Sequence, residues 1–86
     1  MSDKSKRKLG EVESYVLDRL EPHEDGEVPL PDVFDDYVVW CRWRGYVPYA
    51  RKEFARQFGA VARLVGMPTQ LRNRVEIYRQ VRLIGR

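Results

Sequence analysis

Apolar residues return along this chain in three rhythms, and each rhythm predicts a different element. Leu9, Val12, Val16 and Leu20 recur every three or four positions with Leu17 beside them, which predicts an amphipathic helix over about residues 9–21. That helix is expected to stop before the polar stretch EPHEDGE. Val28 and Leu30 are confined between prolines, so EVPL reads as a brief edge strand or extended connector. A second helix begins near Pro31, which a first turn tolerates, followed by Asp32, Asp35 and Asp36 where a helix N-terminus favours negative charge. Val33, Phe34, Tyr37, Trp40, Cys41 and Arg44 share one side of it, which is assigned to the core, and Gly45 supplies its stop. A third helix over about residues 49–65 is lined inside by Phe54, Phe58, Val61 and Val65 and is closed by Gly66. The remaining MPTQLRNRVEIYRQVRLI changes to a two-residue period around the turn candidate RNR, which predicts a hairpin of about residues 68–72 and 75–84.

Helix, short strand, helix, tight turn, helix, hairpin is the order of a winged helix-turn-helix. The expected fold class is therefore α+β, mostly α: three helices with a short strand and a C-terminal β-hairpin wing. At 86 residues the chain makes one domain, expected over residues 9–86, and a domain of this size buries only about two-thirds of its unfolded surface. Residues 1–8, MSDKSKRK, have no apolar side chain after Met1 to offset the entropy of ordering, and are expected to form a flexible basic tail.

Charge adds a direction to this picture. Residues 9–37 hold ten acids against the single base Arg19, whereas residues 38–86 hold eleven arginines and lysines against Glu53 and Glu76. This asymmetry predicts one surface made to meet a polyanion, with the acidic half turned away from it. The third helix is the natural place for that surface, because Lys52, Arg56, Gly59 and Arg63 fall within about 60° of one another on the side opposite its phenylalanines. In a winged helix this helix enters the major groove of double-stranded DNA, where an arginine can fork onto a guanine and a lysine cannot. Arg72 and Arg74 flank the hairpin tip, where a wing meets the sugar-phosphate backbone, and Arg51 adds a cation at the start of the helix. Single-stranded nucleic acid fits less well, since the aromatic residues mostly fall on the inner faces rather than among exposed arginines.

Other chemistries find little support. Cys41 has no second cysteine to pair with, and His23 is the only other soft ligand, so neither a disulfide nor a metal site is expected. Cys41 is assigned to packing and His23 to a solvated loop. No nucleophile stands with a base and no glycine-rich phosphate loop occurs, so the chain is read as a non-enzyme without cofactors or a small-molecule substrate. No apolar run approaches the roughly 20 residues that span a bilayer, and no export signal opens the chain, which predicts a cytoplasmic protein without a membrane partner.

The stretch LPDVFDDYVVWCRWRGYVP, residues 30–48, resembles the C-terminal winged-helix domain of phage, plasmid and poxvirus-type primase-helicases. Tyr37, Trp40, Cys41, Gly45 and Pro48 carry the resemblance, and FGAVARLVGM, residues 58–67, is similar to the Phe-Gly helix of that family. The family usually places a Ser or Thr cap shortly after the proline, where this chain has Ala50, and about four extra residues separate Pro48 from Phe58. The resemblance implies a DNA-binding module, a regulator or replication accessory of a mobile element, without the family's polymerising or unwinding activities.

Val39 and Trp43 stand apart from this scheme. They lie four residues apart on the side of the second helix opposite Tyr37, where the resembling family more often has charge, and form an apolar pair. Either they pack beneath another element or they contact a protein, a second copy included. The competing function from another class is accordingly a protein-protein interaction module that docks on a replication or transcription partner.

Overall fold

A computed structural model of the chain describes residues 10–84, so the basic segment 1–8 lies outside the described residues, as does Leu9. The elements run α1 (Glu11–Arg19), β1 (Leu20–Pro29), α2 (Leu30–Arg44), α3 (Arg51–Leu64), β2 (Thr69–Arg72) and β3 (Val75–Leu83). The strands form one antiparallel sheet in the order β1-β3-β2.

This sheet corrects the expected fold class. The winged-helix reading took the chain as mostly helical, with a short strand at EVPL and a C-terminal β-hairpin wing. β1 instead has ten residues and pairs along the nine-residue β3, so the hairpin strands belong to a continuous three-stranded sheet in a compact α+β domain. The segment EPHEDGE, read as a loop, is strand. Its polarity concealed it: β1 is an edge strand, mostly open to water, and its pairing is set by β3 some sixty positions away rather than by its own alternation. Pro22 explains why the first helix stops at Arg19 instead of near residue 21. The residue before a proline, here Glu21, is driven out of the helical region and the ring itself cannot continue a helix, so the helix must end ahead of Glu21, and Leu20 is its extended cap at φ −120°.

β1 carries a pronounced bulge. Pairing runs through Leu20 with Leu83, Glu21 with Arg82 and Pro22 with Val81, then resumes at Glu27 with Arg79, so His23, Glu24, Asp25 and Gly26 oppose Gln80 alone. Gln80 is left-handed at φ 62°, and a Cβ on Gly26 would sit 2.3 Å from the Val81 carbonyl oxygen, which is why only glycine fits there. His23 is half-buried in this bulge rather than in a solvated loop, and its Nδ1 is buried without a hydrogen-bond partner among the described residues.

Local signals fix the other element ends. At α2 the Gly45 N–H donates to the Arg42 carbonyl (3.2 Å) and the Tyr46 N–H to that of Cys41 (2.9 Å), a Schellman stop made possible by Gly45 at φ 75°. Gly66 and Met67 close α3 in the same way on Arg63 and Ala62. Asn73 and Arg74, at φ 52° and 66°, make the two-residue turn between β2 and β3, with Arg72 paired to Val75.

The core lies between the helices and one side of β3. Tyr15, Tyr37, Phe54, Phe58 and Tyr78 form a run of ring contacts through it, with Tyr37 stacked on Phe54 at 4.3 Å and Phe58 edge-on to Tyr78 at 4.7 Å. Two expected core positions lie outside it. Val65 is 60% exposed because the helix ends before it, and Arg44 lies half in solvent with its guanidinium 5.1 Å over the Trp40 ring. Leu17, expected beside the buried stripe of α1, is also exposed. Asp36, expected only as a helix N-terminal charge, is buried: it accepts from Arg19 Nε (3.1 Å) and Nη2 (3.2 Å) and from the Tyr15 hydroxyl (2.9 Å).

Candidate nucleic-acid interface

The strongest candidate surface is the outer side of α3. Phe54, Phe58 and Ala62 are buried and Val61 is half-buried, so the inner side of this helix is committed to the core. Helical geometry then sends positions 52, 56, 59 and 63 outward. Lys52, Arg56 and Arg63 are all exposed, and a Cβ added at Gly59 would meet nothing within 4 Å, so no other part of the fold covers the middle of the stripe. The three cations are not equivalent. Arg56 holds Glu53 through two hydrogen bonds, one at 3.1 Å from Nε, and this pairing together with the Gln57 amide holds the Glu53 carboxyl down to about 2. Lys52 and Arg63 form no ion pair among the described residues, so their charge faces solvent uncompensated.

The start of α3 meets the hairpin tip. Arg51 from α3 and Arg74 from the β2–β3 turn line one shallow groove of about 280 Å³, together with Leu30 and Pro31 at the start of α2 and Leu71, Val75 and Glu76 of the hairpin. Arg51 is steadied by the Phe34 ring, 5.8 Å from its guanidinium carbon, and Arg74 projects from the turn; neither has an ion-pair partner among the described residues. The fold thus brings together Arg51 and Arg74, two predicted site residues 23 positions apart.

Arg72 behaves differently. It donates to both carboxylate oxygens of Glu27 (3.1 and 3.3 Å) and to the Gln70 side chain (2.7 Å), and it holds the Glu27 carboxyl below its ordinary value. Glu27 also takes Arg79 at 3.3 Å, Glu21 takes Arg82, and Asp18 takes Arg44 and the Trp40 indole, each at 2.8 Å. The expected separation of an acidic half from a basic half is therefore largely undone. Antiparallel pairing lays the acidic β1 along the basic β3, and the unpaired positive charge that remains among the described residues is gathered mainly on α3 and the hairpin tip, with Arg42 on α2 besides.

Val39 and Trp43 are 45% and 86% exposed, so no described element packs over them. Cys41 is fully buried beside Tyr37, and burial pushes its thiol up to about 11. No group of three or more His, Cys, Asp and Glu able to hold a metal occurs among the described residues, and no described helix is long and apolar enough to cross a membrane. Set against known proteins, the chain matches no family model, no curated protein and no solved structure.

Proposed function

We propose that this protein binds double-stranded DNA, with α3 in the major groove and the β2–β3 tip against the backbone, and that it is a binding protein rather than an enzyme. The observation that carries this reading is the uncovered row Lys52, Arg56 and Arg63 on a helix whose other side is core, with Arg51 and Arg74 adding two further cations, unpaired among the described residues, at the groove beside the hairpin tip. Lys52 and Arg63 supply charge for phosphates, and Arg51 and Arg74 straddle a groove in which a sugar-phosphate strand can lie. The resemblance that Tyr37, Trp40, Cys41, Gly45 and Pro48 carry to the C-terminal domain of primase-helicases fits a role in regulating or replicating a mobile element.

Fluorescence anisotropy with a random-sequence duplex tests the reading. Four or five neutralised phosphates give a log-log dependence of affinity on salt with a slope of about −4. No binding at micromolar protein in low salt would instead leave the interaction-module reading, in which the same arginines meet an acidic protein.

A further inference from the structure

The exposed side of α2 has a pattern of its own, independent of α3 and of the DNA reading. Asp32, Asp35, Val39, Arg42 and Trp43 follow one another at intervals of three, four, three and one, which places them on a single stripe, and all five are exposed. The stripe is ordered by charge. Its N-terminal end is acidic (Asp32, Asp35), its middle and far end are apolar (Val39, Trp43), and Arg42 lies beside Trp43. None of its three charges is ion-paired among the described residues, in contrast to Asp18, Arg19, Asp36 and Arg44 beside it, which neutralise one another in pairs.

We infer that this stripe is a self-association surface, on which a second copy of the chain lays its own α2 antiparallel to the first. The argument is charge complementarity under two-fold symmetry. Reversing the helix sets Asp32 and Asp35 of one copy against the Arg42 end of the other, twice, brings the two Val39 side chains near the middle, and lays each Trp43 over the first turn of the partner's α2. A parallel arrangement would stack acid on acid. The antiparallel one also opposes the two helix dipoles. Trp43 is the anchor: a tryptophan contributes about 200 Å² when covered, a substantial part of the roughly 800 Å² per partner of a standard interface. The α2 stripe, 15 residues and so about 22 Å long, is smaller than such an interface, which sets the expected dissociation constant in the micromolar range.

Sedimentation equilibrium at low salt tests this with the whole chain. The expected result is a concentration-dependent dimer that becomes monomeric on Trp43→Glu, with the circular dichroism of the fold unchanged. Two charge variants then probe the geometry. Asp32→Lys with Asp35→Lys makes the stripe wholly basic, and Arg42→Glu makes it wholly acidic. Each is expected to be monomeric alone, and an equimolar mixture of the two is expected to form a heterodimer. A wild-type monomer at about 1 mM, a dimer that survives Trp43→Glu, or a mixture that stays monomeric would each overturn the inference.

Discussion

The sheet and the outer side of α3 each present three positive side chains, Arg72, Arg79 and Arg82 in one and Lys52, Arg56 and Arg63 in the other, and they use them differently. In the sheet each arginine meets a carboxylate of β1: the β1–β3 register sets Glu27 beside Arg79 and Glu21 beside Arg82, and Arg72 reaches Glu27 from β2 on the far side of β3. On α3 only Arg56 finds an acid, and that acid, Glu53, is its neighbour one turn earlier. The difference teaches that an arginine is available to a polyanion according to what the tertiary pairing sets across from it. Counting basic residues along the chain does not show this.

The largest test of that contrast concerns the most deeply neutralised cation. Arg19 donates to Asp36 twice and to the Ile84 carbonyl at 2.9 Å, so Asp36→Ala leaves a part-buried guanidinium without its counter-charge and the Tyr15 hydroxyl without one acceptor. The expected loss is about 3 kcal/mol of unfolding free energy in urea, far above the at most about 1 kcal/mol of an exposed pair. A loss no greater than that of an exposed pair would mean this junction is as replaceable as the surface.

A sharper comparison replaces two cations from each region. Lys52→Gln with Arg63→Gln is expected to weaken duplex binding about tenfold or more and to flatten the salt dependence by about two units, with stability unchanged. Arg79→Gln with Arg82→Gln is expected to leave the salt slope in place and to lower stability by at most about 1 kcal/mol per pair. Equal losses of DNA affinity from both variants would erase the distinction between the regions.

The smallest effect is that of pH. Glu53 is held well below its ordinary 4.5, first by its hydrogen bonds from Arg56 and then by Gln57, and Asp18 and Glu27 are lowered in the same direction by Trp40 and by Arg72 respectively. A carboxyl that is more acidic folded than unfolded adds stability above its unfolded value, and that stability drains away as the pH falls through the folded one. Thermal unfolding is therefore expected to begin losing midpoint as the pH drops below about 4.5 and to keep losing it toward 2. Glu53→Gln should reduce the acid sensitivity slightly and, by releasing Arg56, raise duplex affinity a few-fold at neutral pH.

Much of the candidate site was legible before any coordinates, because its logic is confined to one helix. Phe54, Phe58 and the opposed Lys52, Arg56 and Arg63 are separated by whole turns, and helical periodicity alone sorts them into inner and outer sides. The turn at Asn73 and Arg74 and the stops at Gly45 and Gly66 were equally local. The fold class was not legible. A ten-residue polar edge strand has no period of its own, and the residues that make EPHEDGE a strand are in β3. The same distance hid the loss of Arg72 to Glu27, 45 positions away, and the burial of Asp36 by Arg19 and Tyr15.

By itself the sequence determined the helices, their glycine stops, the hairpin turn and the aromatic side chains destined for the interior, since each depends on steric and hydrophobic preferences felt within a few residues. Tertiary structure alone decided that β1 joins the hairpin in one sheet, and which charges cancel there. It also left Lys52, Arg63, Arg51 and Arg74 uncompensated and Trp43 uncovered. Coulombic partners are chosen by proximity in space, and that proximity exists only once strands from opposite ends of the chain have paired.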